Sequence, residues 1–453
     1  MKPITSSFRD PHGFLATHEG KLYRVVTRLG KPDYDLFAAS PLKANLESTG
    51  RLVRHEIIDR APFEGDFYKI LTPEPIPFIS YPYEWSFSQL KDAALLTLTI
   101  QKEALGHNLS LKDASAFNVQ FVGSRPIFID LLSFEKREDT PWVAYRQFCQ
   151  HFLGPLLLMS HHSPDFNRHL KNYLDGFPLS FVAPLLPLKA KVRPGVFMHI
   201  LLHAASQKKH ERGGGAVNGI KPGSFGLTRL LALVDHLLRV VEGIRLPKGK
   251  SEWSEYVPGY SKDGMELKKK FVSEVLDATK TSSVWDLGGN TGDFSKLVAD
   301  RGIYTVSLDL DPLCVEKNYL SVRGNGKPIL PLLMDLANPT PAIGWGHEER
   351  MSLLERGRPG LILALALIHH LRITANIPIA RIAEFFSKCA DRAIVEFVPK
   401  EDPMATILLS GRKDIFHDYT KGEFEKTFGL YFPHVIVAAI PGSKRILYSF
   451  SKA

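Results

Sequence analysis

From Val284 to the C-terminus, short apolar runs alternate with runs of helical period. Strand-like "SSVWDLG", "YTVSLDLD", "PILPLLMDL", "GLILALAL", "RAIVEFV", "HVIVAAI" and "RILYSFS" are interleaved with helix-like "DFSKLVADRG", "LCVEKNYL" and "IPIARIAEFFSKCA". This order predicts βαβ units around a parallel sheet covered on both faces, with ligands bound beyond the carboxyl ends of its strands. An amphipathic helix from Ser261, "SKDGMELKKKFVSEVLDAT", leads into it. Upstream, Leu227, Leu230, Leu231, Val234, Leu237 and Leu238 fall at helical spacing. Before them, residues 206–224 combine charge, three consecutive glycines and a Pro-Gly pair, the composition of a flexible connection. The expected division is therefore a first domain at 1–205, a glycine-rich linker and bridging helix at 206–260, and a second domain at 261–453.

A length of 453 residues agrees with two domains, and 44% hydrophobic with 23% charged residues is ordinary for a folded protein. The longest apolar runs, "LILALALI" from Leu361 and "FLGPLLLM" from Phe152, fall short of the ~18 residues of a spanning helix and read as core. "MKPITSSFRDPHGF" has no apolar signal region, and Cys149, Cys314 and Cys389 show no paired spacing. A cytoplasmic protein is expected. The net charge of +9 raises nucleic acid as a partner, but Lys and Arg are dispersed, with only short runs at Lys208 and Lys268. A solvated basic surface explains them better.

The chemistry concentrates at "VWDLGGNTGDFS". Asp286, Gly288, Asn290 and Gly292 follow D-x-G-x-G-x-G with asparagine for the middle glycine. Gly288 permits a tight turn and Gly292 a close backbone approach, while the helix starting near Asp293 offers free N–H groups. About 20 residues on, Asp309 closes the next strand, where a carboxylate accepts from a ribose diol. Asp335 closes the third strand and is placed to bond an exocyclic amine. Capping alone accounts poorly for acids at three successive strand ends, although Asp311 before Pro312 suits it.

Residues 261–453 resemble a class I S-adenosylmethionine-dependent methyltransferase. "DLGGNTGDFS" is similar to its first motif, "VSLDLDPLCVEKN" to its ribose motif, "MDLANP" to its adenine motif, and "GLILALALIHHL" to its fourth strand and following helix. The resemblance implies a Rossmann-like seven-stranded sheet ending in a reversed hairpin. It implies that Asp286, Gly288 and Gly292 surround the methionine part, Asp309 holds the ribose, and Asp335 with the backbone of Leu336 reads adenine. Gly289, Asn290, Leu310 and Ala364 would belong to the same cofactor site. NAD-binding folds share the glycine turn, but the aspartate at the strand end and "ALALIHHL" favour the methyl donor. Asn290 is the departure: its side chain either crowds the donor or bonds its carboxylate.

Methyl transfer is an in-line displacement that asks the protein mainly to place a nucleophile, and a base only for an acceptor proton of high pKa. The Asn-Pro-Pro-Tyr of amide and adenine methylation is missing after the fourth strand. An oxygen acceptor on a small molecule or saccharide is expected. His369, ahead of His370, is the candidate base, since an imidazole titrates near about 6.5, with Glu396 at the same rim. The bland alternative is a histidine that packs at a helix start. Trp253, Tyr256 and Tyr260 are expected to shape the acceptor side.

In the first half, Asp113, Asn118 and Asp130 follow D-x4-N-x11-D after a helix, "LKDAALLTLTIQKEALGHN", and hinge-like "IPFISYPYEW". Residues 60–180 resemble the core of protein-kinase-like and aminoglycoside-phosphotransferase-like folds. That resemblance implies an α+β kinase-like domain with Asn118 and Asp130 on magnesium, Asp113 as base, ATP, and Lys21 or Arg24 facing phosphate. Leu111 and Lys112 replace the usual residues before the first Asp, and no glycine-rich phosphate loop is found. Three functions follow: a methyltransferase whose first half selects the acceptor, a bifunctional kinase-methyltransferase, or a binding-only protein.

Overall fold

The structure, a computed structural model, describes residues 1–58, 62–205, 225–249, 251, 253, 261–411 and 413–453. The glycine-rich connection at 206–224, Tyr256 and Tyr260 lie outside the described residues. Two compact units are present: Met1–Lys248 with Ala342–Arg350, and Gly249–Pro341 with Met351–Ala453.

The first unit opens with β1 (Lys2–Pro3), β2 (Gly13–His18), β3 (Lys21–Val26), β4 (His55–Ile57) and β5 (Lys69–Pro73), an antiparallel sheet in the order β1-β2-β3-β5-β4. Helices Lys31–Ala39 and Pro41–Ser48 fill the excursion between β3 and β4. Next comes helix Phe87–Gly106, started by a capping box in which Ser86 and Gln89 satisfy each other's backbone N–H groups. Four short strands follow: β6 (Leu109–Leu111), β7 (Val119–Val122), β8 (Arg125–Phe128) and β9 (Phe134–Lys136), paired β6 with β9 and β7 with β8. The β7–β8 hairpin closes on Gly123-Ser124, where Gly123 adopts φ +59°. The helix expected in the connecting segment is Leu227–Gly243. It packs within the first unit against Phe87–Gly106 through Leu230, Val234, Leu237 and Val241.

The second unit carries β10 (Ser283–Leu287), β11 (Tyr304–Asp309), β12 (Ile329–Leu333), β13 (Leu361–Ala364), β14 (Arg392–Phe397), β15 (His434–Ala439) and β16 (Ile446–Ser451). Their order is β12-β11-β10-β13-β14-β16-β15; the first five run parallel, and β16 is antiparallel to both β14 and β15. The central strands are apolar because both faces are covered, and helix Ile379–Cys389 shows why. Its Ile379, Ile382, Ala383, Phe386 and Cys389 are buried at helical spacing, leaving Arg381, Glu384 and Lys388 in solvent. The fourth strand is shorter than its sequence suggests. It ends at Ala364 because Ala366 turns the backbone to φ +53°, a left-handed conformation that few alanines adopt.

Candidate functional site

The glycine turn after β10 is fastened to the neighbouring strand. Gly288 and Gly289 both donate their N–H groups to the Leu308 carbonyl, at 2.8 and 3.0 Å. Gly288, Asn290 and Gly292 have φ of +76°, +49° and +83°. Two glycines are demanded by packing: a Cβ at Gly289 would lie 2.3 Å from Ser307 Oγ, and one at Gly292 2.3 Å from Asn318 Oδ1. Asn290 stands in for glycine because asparagine tolerates the left-handed region better than most residues. Its side chain is engaged locally, with Nδ2 donating to the Trp253 carbonyl at 3.2 Å and Oδ1 accepting from Thr291 N at 2.6 Å. The side chain tethers Trp253, whose ring meets His370 edge-on at 5.0 Å.

Asp309 faces the turn. Its Oδ2 accepts from Asn290 N at 2.7 Å and its Oδ1 from Asp311 N at 2.8 Å, and the backbone N–H of Leu310 also bonds the carboxylate. Burial pushes its pKa up to about 6, against the pull of those backbone N–H groups. Asp286 is also pushed up to about 6, by burial opposed by a 2.6 Å bond from Ser295 Oγ. Asp286 is wholly inside, whereas Asp309 keeps part of its surface open and Leu310 beside it is 53% exposed. Asp311 caps helix Pro312–Val322 through Leu313 N and Cys314 N. Asp335, just past β12, accepts from Ala337 N at 2.9 Å and steadies the turn holding Leu336, and Ala364 is buried at the end of β13. The glycine turn, Asp309, Asp335 and Ala364 thus stand at the carboxyl ends of adjacent parallel strands, the place where such sheets bind ligands.

His369 and His370 follow β13, their rings 4.1 Å apart. His369 is buried with no partner on Nδ1, and burial, His370 and Arg445 hold its pKa well below 6.5. Burial and Arg445 bring His370 down to about 4. Glu396 on β14 is fully buried, not at a rim. Its Oε2 takes Lys268 Nζ at 2.7 Å and its Oε1 Arg445 Nη1 at 3.4 Å, while Arg445 grips Asp402 through two bonds of 2.6 and 2.9 Å. Sequence reading missed Lys268, Asp402 and Arg445. One signal existed: Gly264, Lys268, Phe271 and Val275 share the buried stripe of helix Lys262–Thr279, so Lys268 was never on its basic face.

In the first unit, Asp113 Oδ1 accepts from Ser115 N at 2.8 Å. Burial and the charge of Asp130 raise its pKa, while hydrogen bonds from Gln147 and Asn118 work the other way. Asn118 Nδ2 donates to Ser133 Oγ at 3.2 Å. Asp130 is fully engaged: Oδ1 takes Arg24 Nη2 at 2.8 Å and Leu132 N at 3.2 Å, and Oδ2 takes Ser133 Oγ at 2.6 Å. Of the two cations considered, Arg24 therefore reaches this cluster. Lys21 is exposed on β3, and Lys112 pairs with Asp33 at 2.6 Å. No group of three or more His, Cys, Asp or Glu that could hold a metal occurs among the described residues. The carboxylate that the resemblance assigns to magnesium pairs with the Arg24 guanidinium in this structure.

A parallel sheet in this order, with a reversed last hairpin, a glycine turn after its middle strand and an aspartate ending the next, is the class I S-adenosylmethionine-dependent methyltransferase fold. Nodulation protein NoeA of Rhizobium meliloti (strain 1021) is 34% identical over 466 aligned residues, 99% of this chain and 96% of its own. The chain belongs to the NoeA family. Among solved structures, the bifunctional kinase-methyltransferase WbdD is 15% identical with a TM-score of 0.32, over 45% of this chain and 42% of that one. Magnesium protoporphyrin IX methyltransferase (ChlM) from Synechocystis PCC 6803, with bound SAH, is 17% identical with a TM-score of 0.30, over 45% of this chain and 90% of that one. N-methyltransferase NodS from Bradyrhizobium japonicum WM9 is 12% identical with a TM-score of 0.32, over 42% of this chain and 97% of that one. The chain thus spans less than half of WbdD, and the fold assignment rests on the strand order itself. No family model matches the chain.

Proposed function

We propose that the protein transfers the methyl group of S-adenosylmethionine to a hydroxyl of a small molecule or saccharide, with the first unit holding the acceptor. The observation that carries this reading is Asp309, a carboxylate fixed by backbone N–H groups of Asn290, Leu310 and Asp311 at the end of its strand, beside the exposed Leu310. When bound, S-adenosylmethionine supplies an electrophilic methyl carbon on a sulfonium. Asp309 accepts from the ribose hydroxyls, Asp335 with the backbone of Leu336 meets the adenine, and Leu310 covers it. The unpartnered Nδ1 of His369 is a buried polar atom awaiting a bond, which fits a polar ligand at this place. His370, at about 4, stays neutral and is a weak base. It orients the acceptor hydroxyl without storing its proton, which passes to water as the O–CH3 bond forms and the sulfonium S–CH3 bond breaks to leave a neutral thioether. Glu396 acts at one remove, holding Lys268 and Arg445 in place.

Titration calorimetry of the full chain with S-adenosylmethionine and its demethylated product tests donor binding. Tritiated donor offered to a panel of saccharides tests transfer. Binding of neither ligand would end the reading. Because burial and Arg445 hold both imidazoles well below the usual histidine range, the transfer rate is expected to show no limb between pH 6 and 7 from histidine. An inflection there that His370→Asn removes would give the imidazole a proton-carrying role.

For the first unit, an antiparallel sheet, a long helix and the β6–β9 and β7–β8 pairs support a kinase-like lobe. The Arg24–Asp130 ion pair favours acceptor binding over phosphotransfer. Magnesium with ATP is expected to leave the melting temperature unchanged. Asp130→Asn is expected to destabilise the chain by about 1 kcal/mol, less than a fully buried pair, because Arg24 keeps Asp10 at 3.4 Å. Magnesium-dependent nucleotide binding lost in that variant would restore the bifunctional alternative. Cys149, Cys314 and Cys389 are all buried and free, which suits a reducing cytoplasm.

A further inference from the structure

We propose that the outer face of residues 185–202 docks on an anionic lipid bilayer surface. Helices Leu179–Leu185 and Leu188–Lys191 build it, with a third that runs unbroken from Pro194 through the π-helical stretch Phe197–Leu201 to residue 205. They pack on one another and send Val182, Leu186, Ala190, Val196 and Ile200 inward. That alone would complete an ordinary amphipathic surface, with polar residues outside. Here the outside is apolar as well. Leu188 is 80% exposed and Val192 79%, and Leu185, Phe197, Met198 and Leu202 are also exposed. Large apolar side chains scattered singly need no explanation, but six within one stretch form a patch.

Charge selects the partner. No acidic residue occurs in the sequence between Asp175 and Glu211, whereas Lys189, Lys191 and Arg193 lie inside the apolar stretch. Lys189 and Arg193 are exposed. Apolar side chains interleaved with cations, unrelieved by carboxylates, match a surface of acyl chains under anionic headgroups. Among the described residues no helix is long and apolar enough to cross a membrane, so the face would ride on the surface.

The test is flotation of the full chain with vesicles of phosphatidylcholine, with and without phosphatidylglycerol. At least about tenfold tighter binding to the anionic vesicles is expected, falling steeply with added salt. Leu188→Asp with Val192→Asp, and separately Lys189→Glu with Arg193→Glu, should each weaken that binding about tenfold or more. These side chains are exposed, so melting temperature and S-adenosylmethionine affinity should stay at wild-type values. Failure of the wild type to float with anionic vesicles overturns the proposal, as does flotation that both variants retain. A wild-type dimer that Leu188→Asp with Val192→Asp dissociates, without vesicle binding, would assign the face to a second copy.

Discussion

Asp309→Ala is expected to weaken S-adenosylmethionine binding at least tenfold, about 1.4 kcal/mol, with the fold intact. Both oxygens already hold backbone N–H groups of the glycine turn and of Asp311, so the carboxylate is fixed before any ligand arrives. A pre-placed charged acceptor loses little entropy when a diol bonds to it, which is why deletion should be felt in affinity. The pH dependence has a defined sign. With the folded-state pKa at about 6, against an ordinary 3.8, the carboxylate is partly protonated at pH 5 and ionised at pH 7. Donor affinity should rise across that interval. Stability of the unliganded chain should move oppositely: a raised pKa favours the folded state below pH 4, and that contribution is lost as pH rises through 6. Asp286, raised by burial in the same way, adds to the trend. Calorimetry and thermal melts between pH 4 and 8 check both. Equal affinity in a folded Asp309→Ala variant would remove this residue from the site.

The second unit was largely legible because its signals are local. Each strand is a contiguous apolar run, and the glycine turn and Asp309 sit where one strand ends and the next follows. Asn290 was legible as a departure but not in its consequence, since its partner Trp253 lies 37 residues away. Ala366 was illegible: nothing in "ALALIHHL" announces a left-handed alanine, and the strand was expected to run past it. Arg24 and Asp130 are 106 residues apart, and only the apposition of β3 with the segment after β8 reveals their pairing. Glu396 was placed at a rim because strand ends usually open there. The neighbours that close over it come from the start of helix Lys262–Thr279 and from the loop before β16. Periodicity reports which residues are buried; it does not report which charges meet.

That closed cluster is where the largest stability effect is expected. Lys268 is 3% exposed and Glu396 0%, so removing Glu396 leaves the Lys268 ammonium out of water and without the carboxylate 2.7 Å away. Glu396→Leu should cost about 3–5 kcal/mol in denaturant unfolding, a large fraction of the roughly 5–15 kcal/mol that holds a folded domain. The companion change discriminates. In the double variant Lys268→Met with Glu396→Leu the stranded ammonium is gone, and Arg445 keeps its two bonds to Asp402. Replacing a buried pair by apolar side chains of similar volume is often close to neutral, so more than half of the lost stability should return. Donor affinity should return with it if Glu396 serves the site only by holding its cations. A double variant that regains stability and donor binding but transfers no methyl group would instead give the Glu396 carboxylate a part in the reaction. A Glu396→Leu variant within 1 kcal/mol of wild type would show that the cluster contributes little to the fold.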